Sequence, residues 1–195
     1  MRHHPLSCLA LALLLAGCAA PPLKLYTLGA PAVAVGAEGS MASAPTLEVR
    51  RVALPDYLDT QDIVTRQGSQ IDRSATGRWA SRLSLSVTDL ITARLGAQHP
   101  GWFVTDQPVS VPAGLRLFVN ISRLDVSADG TASLAADWTI VPHSERQAML
   151  RDRASFAVQG PVRTDADVVA LTNALLDQLS DRIGADLSRA ALPGR

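Results

Sequence analysis

Beyond residue 18 the sequence contains no cysteine. The two thiols of this 195-residue chain are Cys8 and Cys18, so the part that folds has no disulfide, thiolate metal ligand or cysteine nucleophile. It also lacks surplus charge, since 18 Lys and Arg balance 18 Asp and Glu. Without a basic excess there is little to neutralise phosphates. With aromatics at 4% there is little to stack on bases, and both facts set nucleic acid aside. After the opening residues no apolar run approaches the ~18 residues that a membrane-spanning helix needs.

Signatures of chemistry are missing as well. There is no Gly-x-Ser-x-Gly, no phosphate loop and no dinucleotide fingerprint. His3 and His4 lie at the start. His99 and His143 fall in expected turns, with no second ligand at a metal spacing. His143-Ser144-Glu145 contains triad-type residues, but neighbours in one turn do not form a triad. Asp165 and Asp167 are better explained by the dipole of a following helix than by a metal. No cofactor and no enzyme activity are expected.

The opening residues carry the clearest message. Arg2, followed by two histidines, precedes an apolar run from Leu6 to Leu15, and then comes Leu15-Ala16-Gly17-Cys18. A positive start, a short apolar run and small residues at the exit make an export leader. Leu-Ala-Gly-Cys resembles the bacterial lipobox. That resemblance implies cleavage between Gly17 and Cys18, a diacylglycerol on the Cys18 sulfur and acylation of the new amine. Each buried methylene of such chains contributes about 0.8 kcal/mol, so two or more chains anchor firmly. Ala19 is not the Asp that favours inner-membrane retention in enterobacterial sorting, so the expected place is the periplasmic face of the outer membrane. Residues 1–17 are thus read as signal peptide and 18–45 as lipidated N-terminus and flexible tether. Residues 46–190 are read as one periplasmic domain, since about 175 residues suffice for a core.

Along the mature chain, Lys24 to Leu28 has the alternation of a short strand. Gly29 to Pro45 is rich in Ala, Gly, Pro and Ser without an apolar period. Strands are expected over Thr46–Leu54 and Gln61–Arg66, with a turn at Gly68-Ser69 and a return through Arg73. A helix is expected from about Gly77 to Leu95, with Trp79, Leu83, Val87, Leu90, Ile91 and Leu95 on one face and Gly96 as its stop. Trp102 to Val104 is a short strand. Leu115, Leu117, Val119 and Ile121 alternate with polar residues and Phe118. Asp129-Gly130 is a hairpin turn, and Leu134, Ala136, Trp138 and Ile140 alternate on the return. Ala148–Val158 completes a meander. Thr164 caps a last helix with the stripe Val168, Leu171, Leu175, Leu179, Ile183 and Leu187. The plan is α+β: an antiparallel or mixed sheet with two helices packed on one face.

Docking candidates cluster early. Pro55, Tyr57, Leu58, Arg66 and Arg78 fall in a loop-rich stretch, where function concentrates, and Tyr and Arg are the types that anchor interfaces. Tyr57 and Leu58 could equally cover the first helix. Tyr26-Thr27-Leu28, then Leu54-Pro55-Asp56-Tyr57-Leu58, then Ile63-Val64-Thr65-Arg66 and Arg78-Trp79 occur in an order that resembles the PqiC/YmbA family, the auxiliary lipoproteins of ABC-type transport systems. That resemblance implies a non-catalytic subunit of an MCE-type lipid transport system that supports envelope integrity. It also implies an MCE-domain tunnel protein and its ABC permease as partners, and several copies in a ring. A lipoprotein that chaperones an envelope assembly partner, or holds a lipid itself, is the other reading of the same residues.

Overall fold

The computed structural model describes residues 22–29, 43–110 and 112–191. Cys18, most of the expected tether and the last four residues lie outside them. Among the described residues eight strands and two helices follow one another as β1 (Lys24–Tyr26), β2 (Thr46–Val49), β3 (Asp62–Gln67), β4 (Gln70–Trp79), α1 (Leu83–Gln98), β5 (Phe103–Thr105), β6 (Leu115–Val126), β7 (Thr131–Pro142), β8 (Leu150–Gln159) and α2 (Asp165–Ala191).

The strands form two sheets, where one was expected. Five strands lie in the order β5-β2-β6-β7-β8, and three in the order β1-β4-β3. β2 is parallel to β5 and β6, while β6, β7 and β8 form the antiparallel meander, so the large sheet is mixed. The alternation of β6 and β7 explains the meander. Leu117, Ile121, Leu134, Trp138 and Ile140 are each at most 1% exposed and point inward, while Phe118 stands 43% exposed on the other face. Gly130 makes the β6–β7 turn with φ of 89°, in the left-handed region that favours glycine. Both helices pack on the inward face: α2 against β6, β7 and β8, and α1 against β5 and α2. The α2 stripe is buried throughout, and Leu176 joins it.

Four boundaries move. The first helix begins at Leu83, not Gly77, and Trp79 ends a strand instead. Trp79 and Leu83 are four residues apart and both buried, which imitates one helix face. Yet β1 lies parallel to β4, pairing Leu25 with Arg78 and Tyr26 with Trp79, and holds that segment extended. Nor does Gly96 stop the helix. The chain continues to Gln98, the His99 amide donates to the Leu95 carbonyl at 2.9 Å, and Pro100 ends the run. The strand expected to reach Leu54 ends at Val49, although the amides of Arg50 and Ala53 still bond to the Leu117 and Val119 carbonyls. Part of the stretch read as tether, Lys24 to Leu28, belongs to the folded body, where Leu28 is 5% exposed in the core.

Candidate functional site

After β2 the chain turns sharply at Pro55. Its carbonyl accepts hydrogen bonds from the amides of Leu58, at 2.9 Å, and Asp59, at 3.1 Å. This tight turn sends neighbouring side chains opposite ways. Leu58 enters the core at 3% exposed, and Tyr57 faces solvent at 42%. Leu58 therefore supports the turn from beneath and offers no side chain to a partner, while Pro55 is half-buried.

Arg66, from β3, holds Tyr57 in place. Its Nη2 donates to the phenol oxygen at 3.1 Å, and its Cζ lies 5.6 Å from the ring centroid, within cation–π range. The same guanidinium reaches inward, where Nε stands 2.8 Å from Oδ1 of Asp125 on β6. Asp125 is 6% exposed, and its other oxygen meets Nε of Arg123 at 3.1 Å. The hydrogen bond to Asp125 pushes the pKa of Arg66 further up, against the effect of burial, and the Asp125 charge adds to the rise. The backbone closes the same corner: the Ala128 amide, in the β6–β7 turn, donates to the Arg66 carbonyl at 3.2 Å. Tyr57 thus stands on a fixed base that ties the small sheet to the large one.

Asp59 does a different job. Its Oδ1 accepts the Ser84 amide at 3.1 Å and so caps α1 from another segment. Arg51 and Arg82 each approach Oδ2 at 3.4 Å. Burial pushes this carboxyl up, but the hydrogen bonds from Ser84 and the charges of Arg82 and Arg51 outweigh it, and the net direction is down.

Arg78 is separate from this group. Its Nε pairs with Asp62 Oδ1 at 3.0 Å, and its Nη1 donates to the carbonyls of Ser74 and Gly77. Asp62 faces Arg78 in the β3–β4 register, and Arg66 lies four residues further along β3, roughly 13 Å away. The fold therefore gathers Pro55, Tyr57 and Arg66 and leaves Arg78 at the β1 end of the sheet. Cys18 is outside the described residues.

The remaining polar candidates have structural partners. His143 lies in an exposed loop, its amide bonded to the Gly114 carbonyl at 2.9 Å. His99 stacks obliquely near Trp102, with centroids 6.0 Å apart. Asp167 accepts the amides of Arg163 and Thr164, and Asp165 accepts the Thr76 hydroxyl. Among the described residues no group of three or more His, Cys, Asp or Glu converges. Asp59 and Asp125 were not singled out from sequence. Asp125 is hidden by a bulge between Ile121 and Arg123, after which Leu124, Asp125 and Val126 are all buried.

The fold is known elsewhere. One crystal structure of an uncharacterized protein superposes with a TM-score of 0.71 at 20% identity, covering 85% of this chain and 99% of that one. A Xanthomonas campestris protein superposes at 0.61 with 14% identity, covering 87% of this chain and 93% of that one. In sequence, 131 residues are 28% identical to the intermembrane transport lipoprotein PqiC of Escherichia coli K12, spanning 66% of this chain and 70% of that protein. The Shigella flexneri PqiC matches to the same extent. The model of one family, described as the ABC-type transport auxiliary lipoprotein component, matches residues 26–184. That match covers nearly the whole described fold, and the chain belongs to this family of auxiliary transport lipoproteins.

Proposed function

We propose that this auxiliary lipoprotein is a non-catalytic subunit of an MCE-type system that moves lipids between the inner and outer membranes. Lipid on Cys18 holds it at the periplasmic face of the outer membrane. The folded body docks a tunnel-forming MCE-domain protein, and several copies surround the passage. The observation that carries this reading is the presentation of Tyr57. An exposed aromatic ring is braced by Arg66, whose own partner Asp125 is buried. A rigid aromatic on a charged base loses little entropy when a partner covers it, as interface anchors require.

The test is Tyr57→Ala in the full lipidated protein. The ring contacts only Arg66 among the polar and cation–π pairs described, so the Arg66–Asp125 pair and the fold should persist. Affinity for the tunnel partner should fall at least tenfold, which corresponds to about 1.4 kcal/mol. Detergent sensitivity of cells should rise in parallel. Normal binding by a folded, lipidated Tyr57→Ala protein would move the docking surface elsewhere, with the outward face that carries Phe118 the next to examine.

A further inference from the structure

The start of the folded body is close to the lipid anchor. Strand β1 begins at Lys24, six residues after Cys18, and an extended chain covers at most about 3.3–3.6 Å per residue. The first paired residue therefore lies within roughly 20 Å of the lipidated sulfur. β1 is firmly built in. Its three residues pair with Gly77, Arg78 and Trp79, the Ala80 amide donates to the Tyr26 carbonyl at 2.7 Å, and Leu28 is buried just beyond.

The side chains on this strand divide sharply. Tyr26 packs against the core. Leu23 and Leu25, which share the opposite face by the two-residue period of a strand, are 56% and 66% exposed. They are the two most exposed large apolar side chains described. Cations stand beside them. Lys24, between the two in sequence, is exposed, while Arg78, the register partner of Leu25, has its guanidinium engaged by Asp62 and the carbonyls of Ser74 and Gly77. Exposed leucines beside a lysine whose long stem can reach headgroups are the composition of an interfacial contact.

We propose that Leu23 and Leu25 lie in the lipid interface, with Lys24 at headgroup level, so that the body rests on the membrane by its β1 end. This inference rests on lipidation of Cys18. β3 runs from Asp62, beside Arg78, toward Arg66, which sets the Tyr57–Arg66 group roughly 13 Å along the strand from the β1 end.

The experiment uses the full lipidated protein in vesicles of phosphatidylethanolamine and phosphatidylglycerol. No cysteine follows Cys18, so Leu25→Cys and, as a control, Met149→Cys each supply one labelling site, and both positions are more than half exposed. Each is labelled with an environment-sensitive fluorophore and challenged with lipids carrying a quencher at the top of the acyl chain. Quenching at least threefold stronger at position 25 than at 149 supports the proposal. Equal quenching, in protein whose N-terminal peptide carries acyl chains by mass spectrometry, overturns it and leaves the lipidation reading intact. An N-terminal peptide without acyl chains overturns both.

Discussion

Trp138 and Asp186 join the large sheet to the long helix where neither side chain meets water. Trp138 is 1% exposed on β7 and Asp186 0% on α2. The indole N–H donates to Asp186 Oδ2 at 3.0 Å, and Arg189 pairs with the other oxygen. Trp138→Phe keeps a ring in the core but removes the donor. Losing a hydrogen bond to a charged group costs about 1.5–3 kcal/mol. The smaller ring leaves a void of about 40 Å³, which adds about 1 kcal/mol at ~24 cal/mol per Å³. The expected loss is about 2.5–4 kcal/mol, or a fall in melting temperature of about 5–16 °C for a domain of this size. Thermal unfolding followed by circular dichroism measures it. A double-mutant cycle with Asp186→Ala isolates the bond itself, with a coupling of at least about 1 kcal/mol expected. If the two substitutions add within about 0.3 kcal/mol, this bond does not couple sheet and helix, and the reasoning fails.

Contacts elsewhere in the fold give four further outcomes. Arg66→Glu should cost about 2–3 kcal/mol in denaturant unfolding, because it sets a carboxylate against buried Asp125, while Tyr57→Ala should cost under about 1 kcal/mol; equal costs would refute the bracing role of Arg66. Gly130→Ala should destabilise by about 2 kcal/mol, since φ is 89° and a Cβ would meet the Gly160 carbonyl oxygen, whereas Gly68→Ala, with φ of 61° and open space, should cost only about 1 kcal/mol. Partial desolvation at the helix surface, together with the charge and hydrogen bond of Asp106, pushes the carboxyl of exposed Asp89 up from its ordinary value. The folded state therefore binds that proton more tightly than the unfolded chain, and ionised Asp89 destabilises at pH 7. Asp89→Asn should raise the melting temperature there by about 1–2 °C, and the gain should vanish as pH falls below the ordinary aspartate range. Asp59, lowered instead, should behave oppositely: Asp59→Asn should destabilise at pH 7, with the difference shrinking as the pH falls through the folded-state value.

What could be read from sequence was whatever one periodicity controls. The meander was legible because Leu115 to Ile121 and Leu134 to Ile140 each hold one inward face, and α2 because its stripe has a capping threonine and first-turn acids. What escaped depends on partners distant in sequence. Trp79 looks helical until β1, more than fifty residues earlier, pairs with it and holds it extended. The separate three-stranded sheet follows from the same pairing. At the candidate site, Tyr57 and Arg66 were visible as residue types. The inward turn of Leu58 depends on the Pro55 carbonyl, and the anchoring of Arg66 on Asp125 depends on a bulge that no local pattern marks. Arg78 falls near them in sequence but belongs to the β1 end.

The proposed docking of the Tyr57 face onto a tunnel-forming MCE-domain protein can be tested in the cell. Photo-crosslinking in living cells, with a photoreactive amino acid at position 57 of the lipidated protein and the adduct identified by mass spectrometry, tests it most directly. An adduct with an MCE-domain protein is expected from position 57, and none with that protein when the same group is placed at position 25, the proposed membrane contact. An adduct at position 57 with an outer-membrane assembly protein, or the MCE adduct forming from position 25 and not 57, would contradict it.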